Sequence, residues 1–213
     1  MRVMPLGFAL VMGLALATDV PAQPPPAATT AQPGAPPAGA PPPPAQFRRR
    51  GVQVMTLSSP AWPEGGAIPA KHTQAGTEVS PPLTWNQVPD EVVSFVLIAH
   101  DPHAAIGDGT DDLLHWMVWN IPGTARGLPE GVPHGDELAD GSRQISATGP
   151  YYRGPGAPAA GPTHHYVFEL YALDIKLDIP AAGQSPAATR AAVMAAMAGH
   201  VRGKAAYVGR YKR

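Results

Sequence analysis

From about Val52 onward the chain is written as short apolar runs separated by clusters of proline and glycine. That punctuation would break the i to i−4 ladder of a helix almost wherever one began, while strands of about four to eight residues fit between the breaks. The pattern predicts a mostly β domain, two sheets packed as a sandwich. Residues 53–57, 92–99, 113–121 and 166–173 are the expected strands. Residues 92–99 are apolar on both alternating faces, so both faces must be covered and the strand belongs in the middle of the packing. Ile175, Leu177 and Ile179 alternate with Lys176 and Asp178, which predicts a half-buried continuation of the last strand. One helix is expected. Ser185 offers an N-cap, Pro186 occupies the first helical position, residues 188–197 are good helix formers, and Gly199 closes the segment. Met194 and Met197 read as core packing. Residues 58–83 and 122–144 read as long loops, and residues 205–211 as a short final segment.

Glycine (23) and proline (28) make up close to a quarter of the 213 residues, concentrated near the N-terminus. Residues 1–22 read as a secretory signal peptide: Arg2, an apolar run over 6–16 too short to span a bilayer, then small-residue cleavage sites after Ala17 or Ala22. Residues 23–46 form a Pro/Ala-rich linker that cannot bury enough apolar surface to offset ordering its backbone. The folded domain is then 47–213. Its expected location is periplasmic or secreted, with no stable membrane insertion of the mature protein, as a monomer or homodimer. The formal net charge of −1 gives no broad field for nucleic acid, and the basic residues Arg202, Lys204, Arg210, Lys212 and Arg213 read as a solvated helix and tail. The absence of cysteine excludes disulfides, thiolate chemistry, cysteine-ligated zinc and a lipobox anchor.

Residues able to carry chemistry gather in two places. Asp101 follows the apolar run 94–99, so its carboxylate emerges from the core and must find donors, with His115 and Trp116 the expected partners. An Asp-Pro turn cap is the alternative for Asp101. Residues 149–158 are dense in glycine and proline, a stiff turn whose N–H groups can approach an anion. Just beyond it, His164 and Tyr166 lie two apart on one strand face, and His165 points to the other.

These residues carry a resemblance. Ser80-Pro81-Pro82-Leu83-Thr84-Trp85, Asp101-Pro102, His115-Trp116 with Asn120-Ile121-Pro122-Gly123, Tyr152-x-Gly154-Pro155-x-x-Pro158, His164-x-Tyr166 with Leu170-Tyr171-Ala172-Leu173, and Gly199-His200-Val201 occur in this order. The chain resembles the phosphatidylethanolamine-binding protein family, in its bacterial Raf kinase inhibitor-like branch. The resemblance implies a β-sandwich of two antiparallel sheets with a C-terminal helix. It also implies a pocket for phosphate, acetate or a phosphorylethanolamine head group, formed by Asp101, His115, Gly156, Pro158, His164 and Tyr166. It implies no cofactor, no metal and no catalytic residue. Two departures bear on chemistry. The family's Asp-Pro-Asp-Ala-Pro reads Asp101-Pro102-His103-Ala104-Ala105, replacing a carboxylate by an imidazole, and His-Arg-Tyr becomes His164-His165-Tyr166.

The leading expectation is a binding protein for a small anion or phospholipid head group, possessing no nucleophile beside a base. A metal-dependent hydrolase is the second reading, from His100, Asp101, His103, Asp108, Asp111, Asp112 and His115 in one short stretch. The third is a structural envelope protein tethered by the linker.

Overall fold

The structure, a computed structural model, describes residues 51–213. The signal peptide and linker expected over 1–46 lie outside the described residues. The chain forms β1 (Gln53–Val54), β2 (Thr56–Ser58), β3 (Gly66–Ala67), a 3-10 turn (Ala70–His72), β4 (Leu83–Asn86), β5 (Ser94–Ile106), β6 (Asp111–Pro122), β7 (Gly127–Leu128), β8 (Arg143–Ile145), β9 (His164–Leu173), α1 (Pro186–Met197) and β10 (Val201–Tyr211). The large sheet runs β1-β10-β9-β5-β6-β8, with β3 also on β10, and the small one runs β2-β4-β7. The long strands all pair antiparallel, while the short β1 and β3 add to β10 in parallel.

Two cores explain why the central strands are apolar on both faces. Between the sheets lie Trp62, Trp85, Phe95, Leu97, Trp116, Phe168, Leu170 and Tyr207. On the other side of the large sheet, Val96, Ile98, Met117, Trp119, Val193 and Met197 pack beneath α1. Over residues 95–99 β5 alternates strictly between the two, so neither set of these side chains meets water. Burying one such large apolar side chain is worth about 1.5–3 kcal/mol, so these two layers dominate the stability. The helix begins as expected: the Ser185 hydroxyl accepts from the Ala188 N–H at 3.3 Å, and Pro186 needs no partner for its missing donor.

The structure corrects several sequence expectations. The strand expected over 53–57 divides at Met55, whose N–H bonds Lys204 while the chain passes from the large sheet to the small one. Residues 175–179 are not a strand. Leu177 is buried, and both its backbone groups are bonded by the Asn120 side chain, which supplies an amide in place of a ladder. The supposed final segment is the back half of β10, which lies beside β9 in the interior of the large sheet. Arg202 and Lys204 are therefore strand residues paired with Asp174 and Glu169, not parts of a solvated tail. The two long loops hold β3, β7 and the 3-10 turn. Met197 is core, whereas Met194 is exposed.

Candidate functional site

Two irregularities in the β5–β6 pairing bring the polar residues together. Ala99 faces Trp116 but His100 faces Leu114, so His115 is the extra residue of a bulge. In consequence Leu114 packs beneath α1 and Trp116 packs between the sheets, though they are only two apart. A second shift follows Asp101 and throws residues 102–104 out of register. Bulges re-aim side chains, and here they leave Asp101 and His115 buried at the end of the inter-sheet layer, at 2% and 3% exposure.

Asp101 is bonded on both oxygens. Oδ2 takes the His164 Nδ1–H at 2.7 Å and Oδ1 takes the His103 backbone N–H at 2.9 Å. The turn-cap bond to the His103 N–H and the candidate-site bond to His164 thus fall on the same residue. Its partner is His164 rather than Trp116, whose indole N–H is committed to Gln144. The Asp101 bond assigns the His164 proton to Nδ1 and leaves Nε2 for other contacts.

The His115 Nδ1–H donates to the Arg153 carbonyl at 2.8 Å, and the Arg153 N–H returns to the His115 carbonyl at 2.9 Å. His115 Nε2 is then buried without a partner, as is the Tyr166 hydroxyl. Their rings meet edge to face at 5.0 Å. Burial holds the His115 pKa below the ordinary imidazole value, helped by the nearby Arg153 charge and opposed by Asp101 and the backbone of Arg153. Burial, then the Asp101 charge, pushes the Tyr166 phenol well above its usual range, while the backbone N–H groups of Gly156 and Ala157 act the other way. At neutral pH the site therefore offers a phenol O–H donor and an uncharged imidazole whose free atom is a lone pair.

The Gly-Pro turn is fixed against residues 72–78. The Gln74 amide donates to the Gly154 carbonyl at 2.8 Å, the Gln74 N–H to the Pro155 carbonyl at 2.9 Å, and the Gly154 N–H to Glu78 at 3.2 Å. A Cβ on Gly156 would lie 2.5 Å from the Gln74 amide, so a larger residue there would displace that side chain from its bond to the Gly154 carbonyl. Pro158 is exposed at the far end of the turn. Of the six residues expected in the pocket, Asp101, His115, His164 and Tyr166 converge as side chains, Gly156 contributes backbone, and Pro158 makes no contact that places it among them.

The histidines that replace an aspartate and an arginine lie together. His103 stacks on His165 with ring centroids 5.1 Å apart and lies 5.4 Å from His164. The acidic stretch that suggested a metal divides between the sheet faces. His100 pairs with Asp112, which also binds Arg190, on the α1 side, while Asp101 and His115 face the other sheet. Among the described residues no group of three or more His, Cys, Asp or Glu side chains is placed to hold a metal ion.

A sandwich whose convergent polar groups sit at one end of its layers, several of them unsatisfied, defines a binding protein of the β class. The family model for phosphatidylethanolamine-binding protein matches residues 58–212, and the chain belongs to that family. A UPF0098 protein of Methanothermobacter thermautotrophicus is 42% identical over 161 residues, covering 75% of this chain and 99% of that protein. Two solved structures share the fold. A phosphatidylethanolamine-binding protein homologue of Chlamydia trachomatis is 30% identical with a TM-score of 0.61, covering 76% of this chain and 99% of its own. Escherichia coli YbcL, described as a member of the mammalian family, is 25% identical with a TM-score of 0.63, covering 75% and 98%. Family membership supports a binding role rather than a catalytic one.

Proposed function

We propose that the protein is an exported receptor for a small oxyanion, either free phosphate or the phosphoryl group of a phospholipid head group, held by Tyr166, His115, His164 and the backbone of the Gly154–Pro158 turn. The observation that carries this reading is the pair of buried, unpartnered groups, the His115 Nε2 and the Tyr166 hydroxyl, in one edge-to-face contact. Leaving such groups unmatched costs about 1–3 kcal/mol each, a cost a phosphate would remove by accepting from the phenol O–H and donating its own P–O–H to the Nε2 lone pair. The backbone N–H groups of Gly156 and Ala157 lie close to the phenol oxygen without completing a hydrogen bond to it. Asp101 accepts from His164 and from the His103 backbone and lies close to the Tyr166 phenol, so it orients His164.

Isothermal titration with phosphate, acetate and phosphorylethanolamine tests the reading. Binding of phosphate that is lost in Tyr166→Phe supports it. Failure of all three to bind overturns it. Export is tested by fractionation of cells expressing the full chain: recovery of a shortened protein outside the cytoplasm is the expected result, and retention of the intact chain inside opposes it.

A further inference from the structure

Among the described residues, the buried side-chain nitrogens and oxygens with no partner belong to His100, His115, Ser142, Arg153 and Tyr166. Three of these five residues adjoin one another, Arg153 through its backbone. Arg153 exchanges two backbone hydrogen bonds with His115, His115 lies edge-on to Tyr166, and the orphaned atom of Arg153 is its guanidinium Nε. A guanidinium cannot shed its charge, so an unpartnered buried nitrogen on it lacks an acceptor, and an anionic oxygen is the strongest one available. No carboxylate supplies it: Asp101 is occupied by His164 and His103, and Glu78 accepts from the Gly154 N–H.

We propose that Arg153 is a ligand-contacting residue that sets the specificity of this pocket, its guanidinium taking one oxygen of a phosphoryl group whose P–O–H meets the His115 lone pair, so that monoesters without a cationic tail are preferred over zwitterions. The proposal rests on the reading of the pocket as an anion site. Two orphaned donors, the Arg153 Nε–H and the Tyr166 O–H, beside one orphaned acceptor, the His115 Nε2, ask for a ligand with several oxygens around one centre and a proton on one of them, which a singly protonated phosphoryl group offers and a carboxylate does not. The charge on Arg153 also reaches the His115 imidazole, where it adds to the burial that disfavours a second cation. His103 stands with its Nδ1 3.9 Å from Asp101. A ligand ammonium would meet Arg153 and imidazoles there, with the one carboxylate already bonded.

The test compares ethyl phosphate with phosphorylethanolamine, which share a phosphoryl group and differ by the ammonium, on the wild type, Arg153→Gln, Arg153→Lys and His115→Gln. The expected result is tighter binding of ethyl phosphate by the wild type. Arg153→Gln should lose about tenfold or more of that affinity and most of the preference between the ligands. Arg153→Lys, keeping charge but not the planar fork, should fall between them and carries the test if the glutamine variant does not fold. The His115 pKa, followed by NMR, should rise in Arg153→Gln as the neighbouring charge is removed. If Arg153→Gln binds ethyl phosphate within about twofold of the wild type while His115→Gln loses it, the role of Arg153 is overturned and the anion site stands. If the wild type binds neither ligand, the reading of the site falls and this proposal with it.

Discussion

A buried hydroxyl without a partner is a liability in the empty protein and an asset in the occupied one, and Tyr166 allows the two to be separated. Tyr166→Phe removes an orphaned donor from a 2% exposed side chain without creating a cavity. The ligand-free protein should be as stable as the wild type or more stable by up to about 1 kcal/mol in urea titration, while phosphate affinity drops about tenfold to a hundredfold. A variant that loses both stability and affinity would point to a structural role for the hydroxyl. His115 makes a second separation possible. Its bond to the Arg153 carbonyl fixes Nδ1–H, so the atom left for a ligand is a lone pair until the ring is protonated. Sulfate carries no proton near neutrality and needs the imidazolium, whereas phosphate can bring its own P–O–H. Sulfate affinity should therefore climb steeply as pH falls below the ordinary histidine range, toward the depressed His115 value, and phosphate affinity should change less. Equal slopes in calorimetric titrations of the two anions would refute that assignment of the proton.

At the level of elements, side chains replace ladders where the strands fail. Asn120 adopts a left-handed conformation at φ 59°, tolerated by asparagine, and bonds both the N–H and the C=O of Leu177. Asn120→Ala strands two backbone groups at a buried residue and strains the left-handed position near the end of β6, so a loss of about 2–4 kcal/mol is expected in urea titration. Ser185→Ala, which removes only the cap of α1, should cost about 1 kcal/mol in the same measurement. The contrast also shows what could be read from the residues alone. The central strands and α1 were legible because apolar runs and cap chemistry are local signals. β10 was hidden because Gly203 and Gly209 interrupt its pattern, and each is glycine for a non-local reason, the approach of Met55 and Pro89 or of Ile68 and Trp62. The alternation over 175–179 misled because a period of two reports which side chains are buried, not whether a neighbouring strand is present to bond the backbone. In the site, Asp101, His164 and Tyr166 were readable from position on their strands. The placement of His115 depends on a bulge, and the orphaned Nε of Arg153 on burial, neither of which any local motif encodes.

For the whole molecule, the proposed anion site predicts that one proton couples occupancy to folding. Burial depresses the His115 pKa in the folded state, so the unfolded chain takes up that proton first as pH falls. The contribution of the neutral ring is fully present above the unfolded value of about 6.5 and is lost as pH falls through the depressed folded value. Other carboxylates titrate over the same acidic range, so the difference between wild type and His115→Gln isolates the term: the wild type should lose melting temperature relative to the variant on going from pH 7.5 to pH 5. An anion in the pocket reverses the sign, because it favours the imidazolium that burial opposes. Ligand stabilisation follows RT ln(1 + [L]/Kd), about 2.7 kcal/mol at a hundredfold excess over Kd, and with sulfate that term should grow as pH falls. Saturating sulfate should thus flatten or invert the difference between wild type and variant at pH 5 and leave it unchanged at pH 7.5. A sulfate-independent difference would mean that the anion does not meet His115, and would place the ligand elsewhere on the sandwich.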